Sequence, residues 1–509
     1  MANGEKYDYI IVGSGATGAV IANRLSADAD TSVLVLEAGG ADDSKDIQAP
    51  GGFTKLWGTD LDWQLATVDQ PGMADRSLVI NQGKVLGGST SINAMMYVRG
   101  NRRNYDLWNA LGADGWSFAD VLPYFKKSED FEEGASDYHG AGGPLRIRVC
   151  PDDDMRSEPF MLGAKEVGFD GPYWDTNGER QENGAGLLQF HIGADGQRAS
   201  AATAFLDPVM DRSNLAVELN ARVTRILFDG KRAVGVEYVQ GGETKQARAD
   251  REVVVSAGAL QSPKLLMLSG IGPASQLGKL GIDVVSDLPG VGQNLQDHVQ
   301  LPVIYRTNVE IPNTTLLTGN VLFVQTREGG DAAPPDLQLN FTPSAPKPLL
   351  PVLPDFGGPV CIFLPILVQP FSTGEVSLRS ADPLEPPVIN PNYLTQDADY
   401  QVFVKALGLI REIAGASAFS DLNGGELAPG EGDPEGFIRS QSSTLWHPAG
   451  TCRIGQDRTA VVDPQLRVYG VDGLRVADAS VMPTVTSGNT VAACFMIGEK
   501  AADMLAQNT

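Results

Sequence analysis

His447 is the side chain whose type and surroundings best suit acid–base chemistry in this sequence. It lies in the stretch SSTLWHPAGTCRIG, between bulky apolar residues and a glycine-containing turn. Pro448 disfavours helical backbone angles at His447, which fixes the direction of the imidazole ring. A neutral imidazole in such a place can accept a hydroxyl proton while a hydride leaves the adjacent carbon.

Asn489, in the stretch TSGNTVA, is the second candidate, as a hydrogen-bond partner of the same hydroxyl oxygen. Asparagine is also a good helix N-cap, and an apolar helical pattern follows over residues 490–505. Both interpretations of Asn489 stay open on the residues alone. In either case the helix N-terminus would place positive potential near a reduced, negatively charged cofactor.

The other histidines do not show a comparable chemical context. His139 and His191 lie in loop-rich sequence, and we expect each to be a structural hydrogen-bonding residue. No HxxxH motif or Cys/His cluster occurs, so no metal site is predicted. The absence of a GxSxG motif argues against a serine hydrolase.

The element that must position these groups begins the chain. A β-branched apolar run at residues 9–12 has the length of a buried strand and leads into Gly13, Gly15 and Gly18. This is the spacing of a dinucleotide-binding turn. Gly13 allows the tight turn, Gly15 lets the backbone approach a pyrophosphate, and Gly18 lets the following helix pack on the strand.

A second apolar strand, residues 32–36, ends at Glu37. Glu37 is placed to accept hydrogen bonds from the ribose of an adenine dinucleotide. An acid at this point disfavours the 2′-phosphate of NADP. Because strand, turn, helix, strand and acid occur in this order, a bound dinucleotide is predicted.

The composition indicates a globular protein with a sizeable core. Of 509 residues, 42% are hydrophobic and 20% are charged. The net charge of −24 argues against nucleic acid or an anionic membrane surface as a partner. We expect neither a secretory signal nor a membrane-spanning segment, since no apolar run approaches roughly 20 residues. Four widely spaced cysteines are typical of free thiols in a cytoplasmic protein.

Further elements are predicted along the chain. The small residues 87–91 suit a ligand that lies flat against the main chain. Residues 105–131 have helical character, and residues 215–239 have that of two strands around a hairpin. Residues 252–256 form a buried strand that would extend the parallel sheet, and residues 474–478 form another.

The composition and the hydrophobic pattern of the sequence change between about residues 301 and 443. Prolines become frequent, and alternating runs at 336–341 and 374–378 indicate antiparallel strands. A helix is predicted inside this region at 396–415. We interpret the region as a second domain, a sheet laid over the first. The apolar, proline-rich residues 343–368 could gate a pocket, but core strands and loops are the interpretation we favour.

The sequence resembles the glucose–methanol–choline (GMC) flavoprotein oxidoreductases over essentially the whole chain. Four segments carry the resemblance, namely GSGATG with Glu37, GKVLGGSTSINAMMYVRG at 83–100, GALQSPKLLMLSGIG at 258–272, and WHPAGTCRIG with VADASVMPTVTSGNT near the end. Smaller matches are HGAGGPL at 139–145, ASAATAFL at 199–206 and VGQNLQDH at 291–298.

The resemblance implies FAD as the cofactor and an α/β fold (α+β overall). A Rossmann-like FAD-binding domain is joined to a substrate-binding domain built on an antiparallel sheet covered by helices. The implied FAD-binding segments are 1–150, 195–300 and 444–509, and the implied substrate-binding segments are 151–194 and 301–443.

The resemblance also assigns roles to single residues. It makes His447 the catalytic base and places Asn489 at the position of the family's second histidine or asparagine. Ile92 stands where some members carry a histidine that binds FAD covalently, so non-covalent FAD is expected. His139 and His298 fall in structural blocks. The implied cofactor contacts are Gly13, Ser14, Gly15, Thr17, Gly18, Glu37, Ala38, Val85, Gly88, Asn93, Met95, Val223 (at the adenine), Ala257, Trp446, Asp478, Ala479, Asn489 and Thr490.

The activity that the resemblance implies is FAD-dependent oxidation of a small alcohol to an aldehyde or ketone. Oxygen or another electron acceptor would then reoxidise the flavin. A light-driven decarboxylase branch of the family lacks the histidine that this chain keeps as His447, so that activity is disfavoured. A lyase that cleaves a cyanohydrin on the same fold is the alternative, and a non-catalytic flavin-binding protein is a weaker one.

Overall fold

The computed structural model describes residues 6–327, 333–351 and 353–507. Two sheets dominate it, each with a hydrophobic core of its own. The first strand, Lys6–Val12, is central in a seven-stranded sheet and pairs in parallel with Val33–Leu36 and Glu243–Val255. Its last four residues are buried, as in central parallel strands generally. In order, the sheet contains Leu215–Glu218, Val33–Leu36, Lys6–Val12, Glu243–Val255, Arg232–Gln240 and Arg222–Asp229, and Leu474–Val476 pairs in parallel with Glu243–Val255.

Two helices pack closely on each other beside this first sheet, Ala16–Leu25 and Val491–Ala506. Gly498 permits the close approach, because a Cβ atom there would lie 2.9 Å from both the Thr17 carbonyl oxygen and the Val20 Cβ. The C-terminal helix therefore begins near the glycine turn, and the residues that precede it reach the same edge of the sheet.

The second sheet has eight strands and is antiparallel at each of its pairings. Helix Asp397–Gly415 packs on it through an apolar face that includes Phe403, Leu407 and Ile410. The sheet contains, in order, Glu426–Ala428, Val303–Arg306, Val360–Leu367, Leu337–Thr342, Asn320–Val324 and Ala185–Leu187, and Val299–Gln300 joins Val360–Leu367 to Ser443–Thr444.

Smaller elements complete the described part of the chain. The remaining strands are Leu65–Ala66, Val79–Ile80, Met96–Tyr97, Glu129–Phe131, Leu145–Val149, Gln189–Phe190, Ile271–Gly272, Ser286–Asp287, Gln293–Leu295, Gly374–Ser377 and Val388–Asn390. The remaining α-helices are Lys45–Gln48, Arg102–Ala110, Phe118–Ser128, Glu158–Glu166, Gln261–Leu268, Ala274–Lys279 and Pro434–Gln441.

The single helix expected at 105–131 is wrong. Two helices, Arg102–Ala110 and Phe118–Ser128, are followed by the strand Glu129–Phe131. The first helix ends because Gly112 and Gly115 between them adopt φ values of +97° and +81°.

Several local predictions are confirmed. The hairpin, the antiparallel runs and the helix expected at 396–415 are present, the last as Asp397–Gly415. All four cysteines are free thiols, and Cys150, Cys361 and Cys452 are buried. The proline-rich residues 343–368 contribute a central strand of the second sheet, while Val352 lies outside the described residues. In the ranges that the structure describes, no helix combines the length and apolarity needed to cross a bilayer.

Candidate active site

One long pocket runs from the glycine turn of the first sheet to His447 and Asn489. Its walls come from both sheets and from the loops between them. Most of the predicted site residues line it, namely Gly13, Gly15, Thr17, Glu37, Ala38, Gly88, Asn93, Met95, Val223, Ala257, Trp446, His447, Asp478, Ala479, Asn489 and Thr490.

The glycine turn has the geometry of a phosphate cradle. Gly13 has a φ of +100°, and a Cβ atom there would lie 2.5 Å from the carbonyl oxygen of Ser256. A Cβ atom on Gly15 would meet nothing within 4 Å, so the space in front of Gly15 is open to the pocket. Gly15 is the N-cap of helix Ala16–Leu25 and no side chain caps that end. The free N–H groups of the first helical turn suit an anionic pyrophosphate.

Glu37 lines the pocket, but its carboxylate already accepts hydrogen bonds from other groups of the protein. Its Oε2 accepts hydrogen bonds from the Ser14 amide (3.1 Å) and hydroxyl (2.7 Å), and its Oε1 accepts one from the Gly39 amide (2.8 Å). Burial raises the pKa of Glu37, against the lowering effect of these hydrogen bonds. Each carboxylate oxygen keeps a further lone pair with which it can accept a ribose hydroxyl.

Three predicted cofactor contacts lie behind the wall rather than on it. Ser14 bridges Glu37 and the Gly87 amide, which lies 3.2 Å from the Ser14 hydroxyl. Gly18 packs on the glycine turn, since a Cβ atom there would lie 2.0 Å from the Gly13 carbonyl oxygen. Val85 is fully buried in a small apolar cluster. These residues support the cradle, and none of the three lines the pocket.

Asn93 is held in one orientation just after the turn Gly88–Ser91. Its Oδ1 accepts hydrogen bonds from the Met95 amide (3.0 Å) and from Arg198 (2.7 Å). Its Nδ2 lies 3.2 Å from Nε2 of His191. Since Nδ1 of His191 must donate to the Ala199 carbonyl at 2.7 Å, its Nε2 is the acceptor for Asn93. The structural role expected for His191 is thus to orient Asn93.

His447 is fixed through its main chain by a buried carboxylate. Its amide donates to Oδ1 of Asp297 at 2.7 Å. Oδ2 of Asp297 accepts hydrogen bonds from the hydroxyls of Thr444 and Tyr393, both at 2.5 Å. Burial raises the pKa of Asp297 to about 6, although these hydrogen bonds favour the charged form. The preceding residue, Trp446, takes a left-handed φ of +61°.

The ring of His447 contacts one polar group at each nitrogen. Its Nε2 lies 3.3 Å from Nδ2 of Asn489, and its Nδ1 lies 2.9 Å from Nδ1 of His298. Burial lowers the pKa of His447 well below 6.5, and the nearby His298 lowers it further. Burial likewise lowers the pKa of His298 to about 3. Both rings are therefore neutral, so His447 has a lone pair with which to accept a proton.

Asn489 does not act as a helix cap. The helix begins at Val491, Thr490 occupies its N-cap position, and no side chain caps that end. The amide of Asn489 points at His447 instead, and its Oδ1 is buried with no partner among the described residues. His298 differs, because backbone hydrogen bonds to Thr486 and Val368 oppose the lowering of its pKa by burial.

Sequence reasoning missed two parts of this site. His298 was expected to be purely structural, yet its ring lies against that of His447, while His139 belongs to a buried cluster with Glu129 and Asp175. The acid–histidine pair in the stretch NLQDH was the available signal. A substrate-binding domain with an antiparallel sheet was predicted, but not which residues of that sheet and its loops line the pocket; they include Leu317, Asn340 and Leu364.

The chain has extensive similarity to known proteins. Residues 7–300 and 370–498 match the N-terminal and C-terminal parts of the family described as GMC oxidoreductase. The chain is 40% identical over 532 residues to the oxygen-dependent choline dehydrogenase of Brucella anthropi, covering 99% of this chain and 96% of that protein. It is 40% identical to the mitochondrial choline dehydrogenase of Homo sapiens, covering 98% of this chain and 90% of that protein.

The chain also matches a solved structure over nearly its whole length. Pyridoxine 4-oxidase from Mesorbium loti superimposes with a TM-score of 0.91 at 32% identity, over 98% of this chain and 99% of that protein. The α/β fold with an FAD-binding domain, predicted from the sequence, is confirmed by this match and by the family match. The chain belongs to the GMC oxidoreductase family.

Proposed function

We propose that this protein oxidises a small alcohol to an aldehyde or ketone and that His447 removes the hydroxyl proton. GMC oxidoreductases bind FAD and oxidise alcohols, and the relatives named above are two dehydrogenases and an oxidase. They give no support to the cyanohydrin lyase alternative. The observation that carries the proposal is the neutral, buried imidazole of His447 at the end of a pocket that begins with a phosphate cradle.

The residues of the pocket fit FAD. The open space at Gly15 and the uncapped helix behind it would hold the pyrophosphate, and Glu37 would hold the ribose. Val223 would lie at the adenine and Asn93 at the flavin. Bound FAD supplies the acceptor for the hydride that leaves the alcohol carbon.

We propose that the cofactor is held without a covalent bond. Ile92 lines the pocket with an inert side chain. Cys494, on the C-terminal helix, also lines the pocket, and its thiol is neutral because burial raises its pKa to about 12. Acid precipitation of the purified protein should leave all of the FAD in the supernatant, and flavin retained in the precipitate would contradict this assignment.

The hydrogen bond between the two imidazoles determines which nitrogen of His447 accepts the hydroxyl proton of the substrate. If His447 donates its Nδ1–H to Nδ1 of His298, its Nε2 carries the lone pair, which the amide of Asn489 faces when no substrate is bound. The substrate hydroxyl then donates to Nε2, while the amide of Asn489 donates to the substrate oxygen. As the carbon loses hydride, the hydroxyl proton passes to Nε2 of His447 and the oxygen becomes a carbonyl.

The remaining groups hold this arrangement in place. Asp297 fixes the main chain of His447, and Thr444 and Tyr393 fix Asp297. A base held within about 0.5 Å of its productive position makes proton transfer efficient.

The test is an anaerobic screen of alcohols that follows the flavin absorbance. A good substrate should bleach the flavin, and repetition in air with peroxide detection would show whether oxygen or another acceptor reoxidises it. Flavin that no alcohol bleaches would overturn the proposal. A cytoplasmic location remains part of the proposal, and fractionation of the source cells tests it.

A further inference from the structure

The wall that faces the reacting end of the pocket comes from the second sheet and is almost entirely apolar. Asn340 and Leu364 are cross-strand partners on neighbouring strands, and both line the pocket. Leu317 and Leu445 complete this wall. Leu364 and Leu445 belong to one small apolar cluster, so the surface that an alcohol would meet is continuous.

No carboxylate lies at this end among the pocket-lining residues that the structure describes. Among the described residues that line the pocket, the carboxylates are Glu37 and Asp478. Both lie at the dinucleotide end, where Glu37 binds Ser14 and Asp478 accepts hydrogen bonds from the Gly258 amide (2.9 Å) and the Ser262 hydroxyl. Asp297 lies close to His447 but does not line the pocket. Against the described lining of this end, a cationic substrate would be buried without an opposite charge, which is costly.

The aromatic side chains of the pocket do not replace that missing charge. A quaternary ammonium group needs several ring faces turned toward it. Trp57 and Trp446 pack on each other instead, with ring centroids 4.7 Å apart and planes tilted by 45°. The third tryptophan of the lining, Trp63, already has the cations of Lys84 and Arg222 over its ring. Hydrogen bonds fix both rings of the Trp57–Trp446 pair in place. The indole N–H of Trp57 donates to the Ile92 carbonyl, and that of Trp446 donates to the Val79 carbonyl.

Asn340 supplies the polar feature on this wall. Its Oδ1 accepts a hydrogen bond from Nε2 of Gln338 at 3.0 Å, which fixes the orientation of the amide. Its Nδ2 has no hydrogen-bond acceptor among the described residues, and Asn340 lines the pocket. A donor surrounded by leucines binds a substrate that carries an acceptor and rejects one that leaves the donor unpaired.

We infer that the substrate is an uncharged, apolar alcohol whose far end carries a hydrogen-bond acceptor for Asn340, and not a quaternary ammonium alcohol. The inference rests on the proposed function, because it concerns the alcohol that His447 would deprotonate. It separates this chain in substrate class from the choline dehydrogenases that it matches by sequence.

Two matched substrate pairs test the inference on the holoenzyme by anaerobic flavin reduction. Choline is compared with its uncharged tert-butyl analogue, in which carbon replaces the ammonium nitrogen. Benzyl alcohol is compared with para-methoxybenzyl alcohol, which adds an acceptor. We expect kcat/KM to be higher by about tenfold or more for the uncharged member of the first pair and for the methoxy member of the second. Choline as the better member of its pair would overturn the inference while leaving the proposed function intact. Failure of every alcohol to bleach the flavin would instead remove the proposed function.

Replacement of Asn340 by aspartate, which has nearly the same size but carries a negative charge, tests whether this residue sets the preference for uncharged alcohols. Asn340→Asp places a carboxylate on the apolar wall, so kcat/KM for choline relative to the tert-butyl analogue should rise at least about tenfold. Asn308→Asp adds the same charge on the exposed surface and serves as the matched control. FAD content and melting temperature report on folding of both variants. A folded Asn340→Asp enzyme with an unchanged ratio would contradict the inference.

Discussion

Nδ1 of His298 lies 2.9 Å from Nδ1 of His447, and the two imidazole rings are nearly perpendicular, at 87°. Two neutral rings at this distance share one proton, which belongs to one Nδ1 and is accepted by the other. The protonation of His298 therefore decides which nitrogen of His447 carries the free lone pair. This makes His298 a positioning residue for the base, in the sense in which a third group orients the base of a catalytic triad.

Removal of the imidazole acceptor should lower the rate without abolishing cofactor binding. We expect His298→Leu to slow anaerobic flavin reduction by roughly 10–100-fold, because His447 then populates the wrong tautomer. His298→Asn keeps a polar atom near the position of Nδ1 and should recover much of that loss. Stopped-flow spectroscopy at saturating alcohol measures both variants. Equal rates for the Leu and Asn variants would show that His298 only fills space.

Asp297 should affect the rate more than substrate binding. Asp297→Asn replaces one carboxylate oxygen by an N–H group, so at least one of the donors that now face Asp297 loses its acceptor. We expect a loss of about 1–3 kcal/mol of stability and a fall in kcat that exceeds any change in KM. Thermal melting and steady-state kinetics on the same preparation measure the two effects. A variant with a raised KM and an unchanged kcat would not agree with a positioning role.

The fall of kcat/KM on the acidic side should begin below neutral pH. His447 must be neutral to accept a proton, and burial keeps its pKa well below 6.5. Asp297 must be ionised to accept its hydrogen bonds, and burial raises its pKa to about 6. Activity is therefore present above these values and is lost as the pH falls through them. We expect kcat/KM to be constant from mildly alkaline pH down to about 7 and to fall at lower pH, as Asp297 becomes protonated. A limb with an apparent pKa well above 7 would show that a different group, or a charged His447, controls the reaction.

Gly15→Val should abolish FAD binding. The valine side chain would project into the open space that the pyrophosphate needs, while the backbone at Gly15 has a negative φ of −67° that valine tolerates. The variant should therefore fold and be colourless. Gly408→Val is a control for the general effect of the substitution, because Gly408 is exposed in helix Asp397–Gly415 and a Cβ atom there would meet nothing within 4 Å. A yellow Gly15→Val protein would contradict the position of the cradle.

The dinucleotide half of the molecule was largely predictable from the sequence, and the reason is local. The glycine spacing, the flanking strands and Glu37 are set by backbone geometry over a short stretch, and the pattern shows them directly. The error at residues 105–131 is also local, since the positive φ of Gly112 and Gly115 outweighed the helical pattern around them.

The catalytic end was less predictable because distant elements form it. The contact between His298 and His447 joins residues 149 positions apart, and Asp297 gathers donors from Tyr393 and Thr444 on other elements. Alternation along the second sheet predicted its strands but not which residues would face the pocket. Only the packing of one sheet over the other places Asn340 there.

The central claim is that His447 removes the hydroxyl proton, and anaerobic stopped-flow reduction of His447→Ala tests it most directly. The variant should bind FAD as well as the unaltered enzyme, so that absorbance at equal protein concentration is the same. Its flavin should be reduced by a good alcohol about 10²–10⁴-fold more slowly, the usual loss when a general base is removed. The slow rate should also rise with pH, because an alkoxide needs no base. Reduction at the unaltered rate in a fully yellow His447→Ala protein would contradict the claim.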